Sequence, residues 1–311
     1  MLRYTIYMIS RYNHKDLVWV DIESPTKEDI LSVAGEFSLH PLVSEELLSP
    51  TMRPKIDVHD NSIFLVLHFP AFHHTYKKEV RQEVDFIVGQ KFLITVHYDT
   101  VDAIHKFSKE FEVKSILNKH EFDQHAGFLF FQLVKKLYRS LEHELEYIED
   151  RLKHAEMSVF KGEEYKMVTV LSDINRDLLD LKQALRTHKD VLRSLEAAGT
   201  KFFGMEFTYY LQAISGEFSK VDNNLDGQKE TLIDLRDTND SLLAHKTTGA
   251  MKTLTMVSFS TFPLMLISSV FAMRTENTPF IGMKFDFWFV LAIMAITLLL
   301  TLAYFVHKKW L

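Results

Sequence analysis

A chain of 311 residues with 47% hydrophobic side chains, 25% charged ones and a net charge of −6 has room for one or two ordinary domains. Charges of both signs are interspersed without a basic stripe, which argues against nucleic acid as a partner. Cysteine is absent, in keeping with a reducing compartment where disulfides are not needed.

The first hundred residues carry strand signals: YTIYMI at 4–9, LVWVDI at 17–22, SIFLVLHF at 62–69 and VDFIVGQKFLITVHY at 84–98, the last turning at Gly89 and Gln90. Between them Ser24 to Phe37 has a Ser/Thr cap, an early proline and acids in its first turn, the marks of a helix start. With another helix near 100–115, residues 1–122 read as an α/β domain.

Residues 123–204 change character. Two long amphipathic stretches, ending at Phe160 and starting at Glu164, flank Lys161 and Gly162 and predict a helical hairpin with charged outer faces. Over 205–250 the residues Leu211, Ile214, Phe218, Val221, Leu225, Leu232, Leu235 and Leu242 recur at three- and four-residue steps, with Gln228 and Asn239 in the gaps. That stripe reads as a seam for self-association. No proline falls between Lys201 and Pro263, so this stalk is expected to run on into an apolar span, a helix of about 90 Å at 1.5 Å per residue.

Leu254–Met273 and Phe285–Val306 are almost free of charge, and each can cross roughly 30 Å of hydrocarbon. They predict spans over 251–273 and 285–306, joined by an outer loop, 274–284, and followed by a basic tail, 307–311. The start of the chain is polar by residue 10 and has no leader pattern. Lys246 and Lys252 before the first span, and His307, Lys308 and Lys309 after the second, predict an integral protein of a bacterial-type inner or cell membrane with both termini cytoplasmic.

Two spans cannot enclose water, so a channel would need several copies. The second span is almost wholly apolar and suits lipid, whereas the first carries Thr255, Ser258, Ser260, Thr261, Ser268 and Ser269. Three- and four-residue steps place Met251, Thr255, Ser258, Phe262, Met265, Ser269 and Ala272 on one face, with Phe262 and Met265 as a constriction able to gate by dewetting. Asp237 and Asp240 could repeat around the axis as cytoplasmic acid rings.

Other motifs carry less. DNNLDGQKETLI, from Asp222, matches the start of a calcium loop but has Ile233 where the bidentate glutamate belongs. His73, His74, His120 and His125 follow no zinc spacing and read as surface histidines, and the acids from Glu142 to Asp150 read as a solvated face. No phosphate loop, nucleophile elbow or catalytic carboxylate pair is found, so no enzyme and no cofactor is expected.

WVDIESPTKEDI, LHPLVSEELLSPTMRPKIDVHDNSIFLVL and FIVGQKFLITVH, followed by KTTGAMKTLTMVSFSTFPLML and a second span ending in KKWL, resemble the CorA family of divalent cation channels over nearly the whole chain. The resemblance implies an α+β membrane protein: a cytoplasmic α/β/α domain, a stalk helix continuing into a pore-lining first span, a peripheral second span, and five identical subunits in a funnel. It implies passive transport of Mg²⁺ and related ions, pore-lining positions at Thr248, Met251, Leu254, Phe262, Met265 and Ser269, and a basal acid at Asp237. Regulatory divalent ions between neighbouring subunits are a family trait, for which Asp85 and Glu217 are candidate ligands.

The family's Tyr-Gly-Met-Asn motif falls at Phe271, Ala272, Met273 and Arg274, keeping only the methionine. Five arginine charges ~6 Å from a divalent ion would repel it by roughly 7 kcal/mol in water, about half that in physiological salt. Arg274 can escape by turning outward or pairing with Glu276, leaving Asn277 to meet the hydrated ion. Expected partners are thus identical subunits and lipid, with Mg²⁺ as transported or regulatory ion. The alternatives are a channel of altered, even anionic, selectivity and a non-conducting scaffold or ion sensor.

Overall fold

The computed structural model describes residues 8–70, 81–116, 125–273 and 285–308, which fall into two units, Met1–Leu235 and Arg236–Leu311. The first unit opens with strands β1 (Met8–His14) and β2 (Leu17–Glu23), paired antiparallel about a turn in which Lys15 has φ 52°. The described strand runs past the expected end at residue 9 to His14, and residues 4–7 of the expected 4–9 are outside the described residues. MISRYNH has no clean alternation, but pairing places it: Tyr12 faces Trp19 with ring centroids 4.7 Å apart.

Helix α1 (Lys27–Phe37) begins where expected because Thr26 and Asp29 cap each other's backbone N–H groups. Helix α2 (Pro41–Glu46) follows, its Leu42 N–H held by His40 Nδ1, and then the edge strand β3 (Lys55–Val58). Strands β4 (Ile63–Pro70), β5 (Arg81–Val88) and β6 (Phe92–His97) complete a six-stranded sheet of order β1-β2-β6-β5-β4-β3, antiparallel except for the β2–β6 pair. Every residue of β4 is buried, which explains its unbroken apolar run.

Successive strand residues point to opposite faces. On one face Val20, Ile22, Phe64, Val66, Ile87 and Val96 join Ile30 and Val33 of α1 and Val43 of α2. On the other Trp19 meets Phe107 and Phe111 of α3 (Asp102–Ile116), and Phe86 meets Phe130 of α4 (Ala126–Phe160). This is an α/β/α arrangement. Full burial of side chains of this size contributes about 1.5–3 kcal/mol each.

The hairpin's second arm is expected as one helix but is two, α5 (Glu164–Leu185) and α6 (His188–Phe203). The break precedes His188, which is wholly buried between the Tyr138 hydroxyl, 2.9 Å from Nδ1, and the His68 carbonyl, 2.9 Å from Nε2. A 3-10 turn, Met205–Phe207, leads into α7 (Thr208–Ala272), 65 residues long.

From Leu211 to Leu235 the α7 stripe is not a seam left open for other copies, whereas Leu242 is half-buried. Leu211, Ile214, Phe218, Val221, Leu225, Leu232 and Leu235 are at most 7% exposed within one chain. Gln228 Nε2 donates to the Leu145 carbonyl of α4 at 2.7 Å, the Phe218 ring lies 6.0 Å from Tyr138, and Lys182 of α5 reaches Asp222 at 2.9 Å and Asp226 at 2.8 Å. Three- and four-residue periodicity marks a packed face without saying whether the same chain or another covers it.

In the second unit the rest of α7 and α8 (Asp286–His307) are both long and apolar enough to cross a membrane. Their large apolar side chains stand bare: Phe262, Met265, Phe287 and Leu299 are 66–69% exposed. Pro263 sits inside α7 and brings no N–H, so the Phe259 carbonyl lacks its usual helical donor.

Candidate functional site: the ion pathway

The positions expected to line a pore, Thr248, Met251, Leu254, Thr255, Ser258, Phe262, Met265 and Ser269, all lie on α7. Thr255 is half-buried and the others are exposed, with bulky Met251, Phe262 and Met265 at 64%, 69% and 68%. A helix advances about 100° per residue, which puts Asp237 and Asp240 within about 20° and 40° of the Phe262 direction, and buried Asn239 about 140° away. Both aspartates are exposed. One face of the second unit thus carries acids, then hydroxyls, then large apolar groups.

The hydroxyls have a fixed orientation. Thr255 donates to the Met251 carbonyl at 2.8 Å, Ser258 to Leu254 at 2.9 Å and Thr261 to Val257 at 3.0 Å, each a bond back along the same helix. A hydroxyl has one proton and two lone pairs, so once the proton is spent on a carbonyl the oxygen faces outward as an acceptor. A hydrated cation turns water protons outward and needs such acceptors.

At the outer mouth, Ala272 is the last residue of α7 and the Met273 N–H reaches the Val270 carbonyl at 3.3 Å. Arg274, Glu276 and Asn277 lie outside the described residues.

The two regulatory candidates are not brought together within one chain. Asp85 alternates with Phe86, whose ring meets α4, so Asp85 points to the opposite face, where its Oδ2 is 3.4 Å from the Tyr98 hydroxyl. Glu217 of α7 is turned to α4, with Lys135 at 3.6 Å and Lys220 at 3.4 Å. Burial, reinforced by neighbouring Glu83, pushes the Asp85 carboxyl well above the usual carboxylate range. Glu83 stays low despite its own burial, because His68 at 3.2 Å and the Thr51 N–H and hydroxyl at 2.8 and 2.6 Å all bond it. Of the two, Asp85 takes the proton. Among the described residues no cluster of three or more His, Asp or Glu is set to hold a metal ion.

Sequence patterns carried no hint of the buried histidines. Burial drives the His188 imidazole down to about 4, so it sits neutral between Tyr138 and the sheet. His97, also buried, moves upward in spite of that burial because Asp21 lies 3.3 Å from Nε2. His125, expected on the surface, caps α4 by accepting from the Gly127 N–H at 3.1 Å and stacks on Phe203 at 4.8 Å. A lone histidine has no periodicity, so its role appears only in three dimensions. The calcium-like stretch from Asp222 is helical, with Asp222 and Asp226 bound to Lys182.

Residues 14–309 match the family described as CorA-like Mg²⁺ transporter protein. The chain is 27% identical over 307 residues to YfjQ of Bacillus subtilis, covering 97% of this chain and 93% of that protein. It is 24% identical over 295 residues to the cobalt/magnesium transport protein CorA of Thermotoga maritima, covering 94% and 83%. The complete CorA magnesium transporter of Methanocaldococcus jannaschii superposes with a TM-score of 0.83 at 20% identity, over 96% of this chain and 93% of the other, a likeness of fold.

Proposed function

Because the chain belongs to the CorA-like Mg²⁺ transporter family, we propose that it carries Mg²⁺ and related divalent cations passively across a bacterial-type cell membrane, as an assembly of identical copies, five by family resemblance. The observation that carries the reading is the face of α7, where exposed Asp237 and Asp240 align with the back-bonded Thr255 and Ser258 and with Phe262 and Met265. One α7 from each copy surrounds the path, and α8 faces lipid. The basic residues Lys246, Lys252, His307 and Lys308 keep both ends cytoplasmic.

The steps follow from chemistry. At the mouth, beyond Ala272 and Met273, this reading gives the hydrated ion to Asn277 and requires Arg274 to turn from the path or pair with Glu276. Phe262 and Met265 form a constriction that empties of water when narrow and admits the hydrated ion when wide. Below it the hydroxyl oxygens, with Thr248, Met251 and Leu254, line the descent, and Asp237 and Asp240 collect the cation at the cytoplasmic end. An interior potential of ~100 mV supplies about 4.6 kcal/mol for a divalent ion, so neither a cofactor nor catalysis is required. Regulatory binding at Asp85 or Glu217 would have to join groups on different copies, and at Asp85 it would compete with protons on acidification.

Arg274 supports a second reading, in which cations are excluded or anions pass. The test is flux into liposomes holding the full-length protein, with Mg²⁺ and chloride indicators at a fixed inside-negative potential. Mg²⁺ uptake is the expected result. Chloride uptake without Mg²⁺ would replace it with the second reading, and absence of both would leave a non-conducting scaffold.

A further inference from the structure

We propose that the groove between α3 and α4 binds a polyphosphate-class anion, held by Lys106 and Arg139 from opposite walls. The groove is a cavity of about 600 Å³, the size of a nucleotide, and belongs wholly to the first unit, apart from the ion pathway. Its α3 wall presents Asp102, Lys106 and Glu110 at four-residue steps, hence on one side of the helix. The α4 wall presents Lys136, Arg139 and His143 at three- and four-residue steps.

Most of these charges are committed. Lys136 is bonded to Glu110 across the groove, His143 Nδ1 lies 3.2 Å from Glu146, and Lys135 is turned to Glu217. Lys106 and Arg139 are exposed and have no acidic partner among the described residues. Two unspent cations on facing helices, one of them a guanidinium suited to paired phosphate oxygens, fit a ligand with more than one phosphate group. Asp102 and Glu144 also line the space and would repel a small lone anion that cannot bridge both walls. The aromatic side chains at the groove, Phe107 and Phe111, are 5% and 1% exposed, so no ring face is offered to a base. Recognition is therefore through phosphate, which can belong to a soluble ion or to a lipid headgroup.

Calorimetric titration of inorganic tripolyphosphate into the full-length protein in neutral-lipid nanodiscs, without Mg²⁺, tests this. Saturable binding that weakens with salt is expected, with ATP in the same range and orthophosphate at least about tenfold weaker. The double variant Lys106→Gln/Arg139→Gln should lose at least about tenfold in affinity and keep its thermal midpoint and Mg²⁺ flux. Repeating the titration in phosphatidylglycerol nanodiscs separates the sources: competition assigns the groove to headgroup phosphate, and unchanged affinity to a soluble anion. No saturable binding in neutral nanodiscs, or equal affinity in the double variant, would overturn the proposal. Either result leaves the flux assay untouched.

Discussion

His188 and Asp85 are two buried titratable groups that pull stability in opposite directions with pH. The imidazole ionises near 6.5 in an unfolded chain and near 4 when buried, so the unfolded state gains protons first as pH falls. Its contribution, on the order of 3 kcal/mol, is complete above about 6.5 and is lost on acidification toward about 4. From pH 7.5 to 5 this group lowers denaturation midpoints against the opposite pull of Asp85 and His97, so the midpoint of His188→Leu should fall less or rise more than that of the parent over this range, while the variant costs about 1–3 kcal/mol through the stranded Tyr138 hydroxyl. Asp85 has the reverse sign. Its raised acid favours the folded state when protonated, and that benefit is lost as pH climbs above 3.8. Asp85→Asn keeps a polar partner for Tyr98 without a buried charge, so it should raise the thermal midpoint at pH 7.

Among the elements, α7 makes the sharpest demand, because its apolar stripe is covered by α4 and α5 of its own chain. Leu225→Ala should therefore lower unfolding stability by about 2–5 kcal/mol, independent of protein concentration, whereas a seam between copies would make the loss concentration-dependent. Gln228→Met should stay within about 1 kcal/mol, since it trades one bond to Leu145 for removal of the buried, unpartnered Oε1. The stripe itself is legible from spacing alone, as are α1 through its Thr26 cap and β4 through its apolar run. What covers the stripe is not, because self-packing and self-association write the same pattern. Strand β3 with four residues and α2 with six are too short for periodicity to register, and the extension of β1 to His14 is set by its partner strand. Of the candidate pathway, the order of acids, hydroxyls and bulky apolar groups along α7 can be read from sequence, while the direction of each hydroxyl proton cannot.

For the whole molecule, the bare apolar surface on α7 and α8 contrasts with the well-packed α/β/α unit, and the proposed function covers it with lipid and with other copies. In the liposome assay Phe262→Ser should raise resting Mg²⁺ flux severalfold, because a polar constriction holds water at widths where a phenyl ring sheds it. An unchanged flux would move the constriction elsewhere on the helix. The proline at 263 adds a mechanical consequence. A helix resists bending through its ladder of carbonyl-to-amide bonds, and here one rung is missing between 259 and 263, one turn spanning Phe262. The helix is thus softened beside Phe262, the residue proposed to close the path, and a flexure there would move Met265 and Ser269 relative to Asp237 and Asp240.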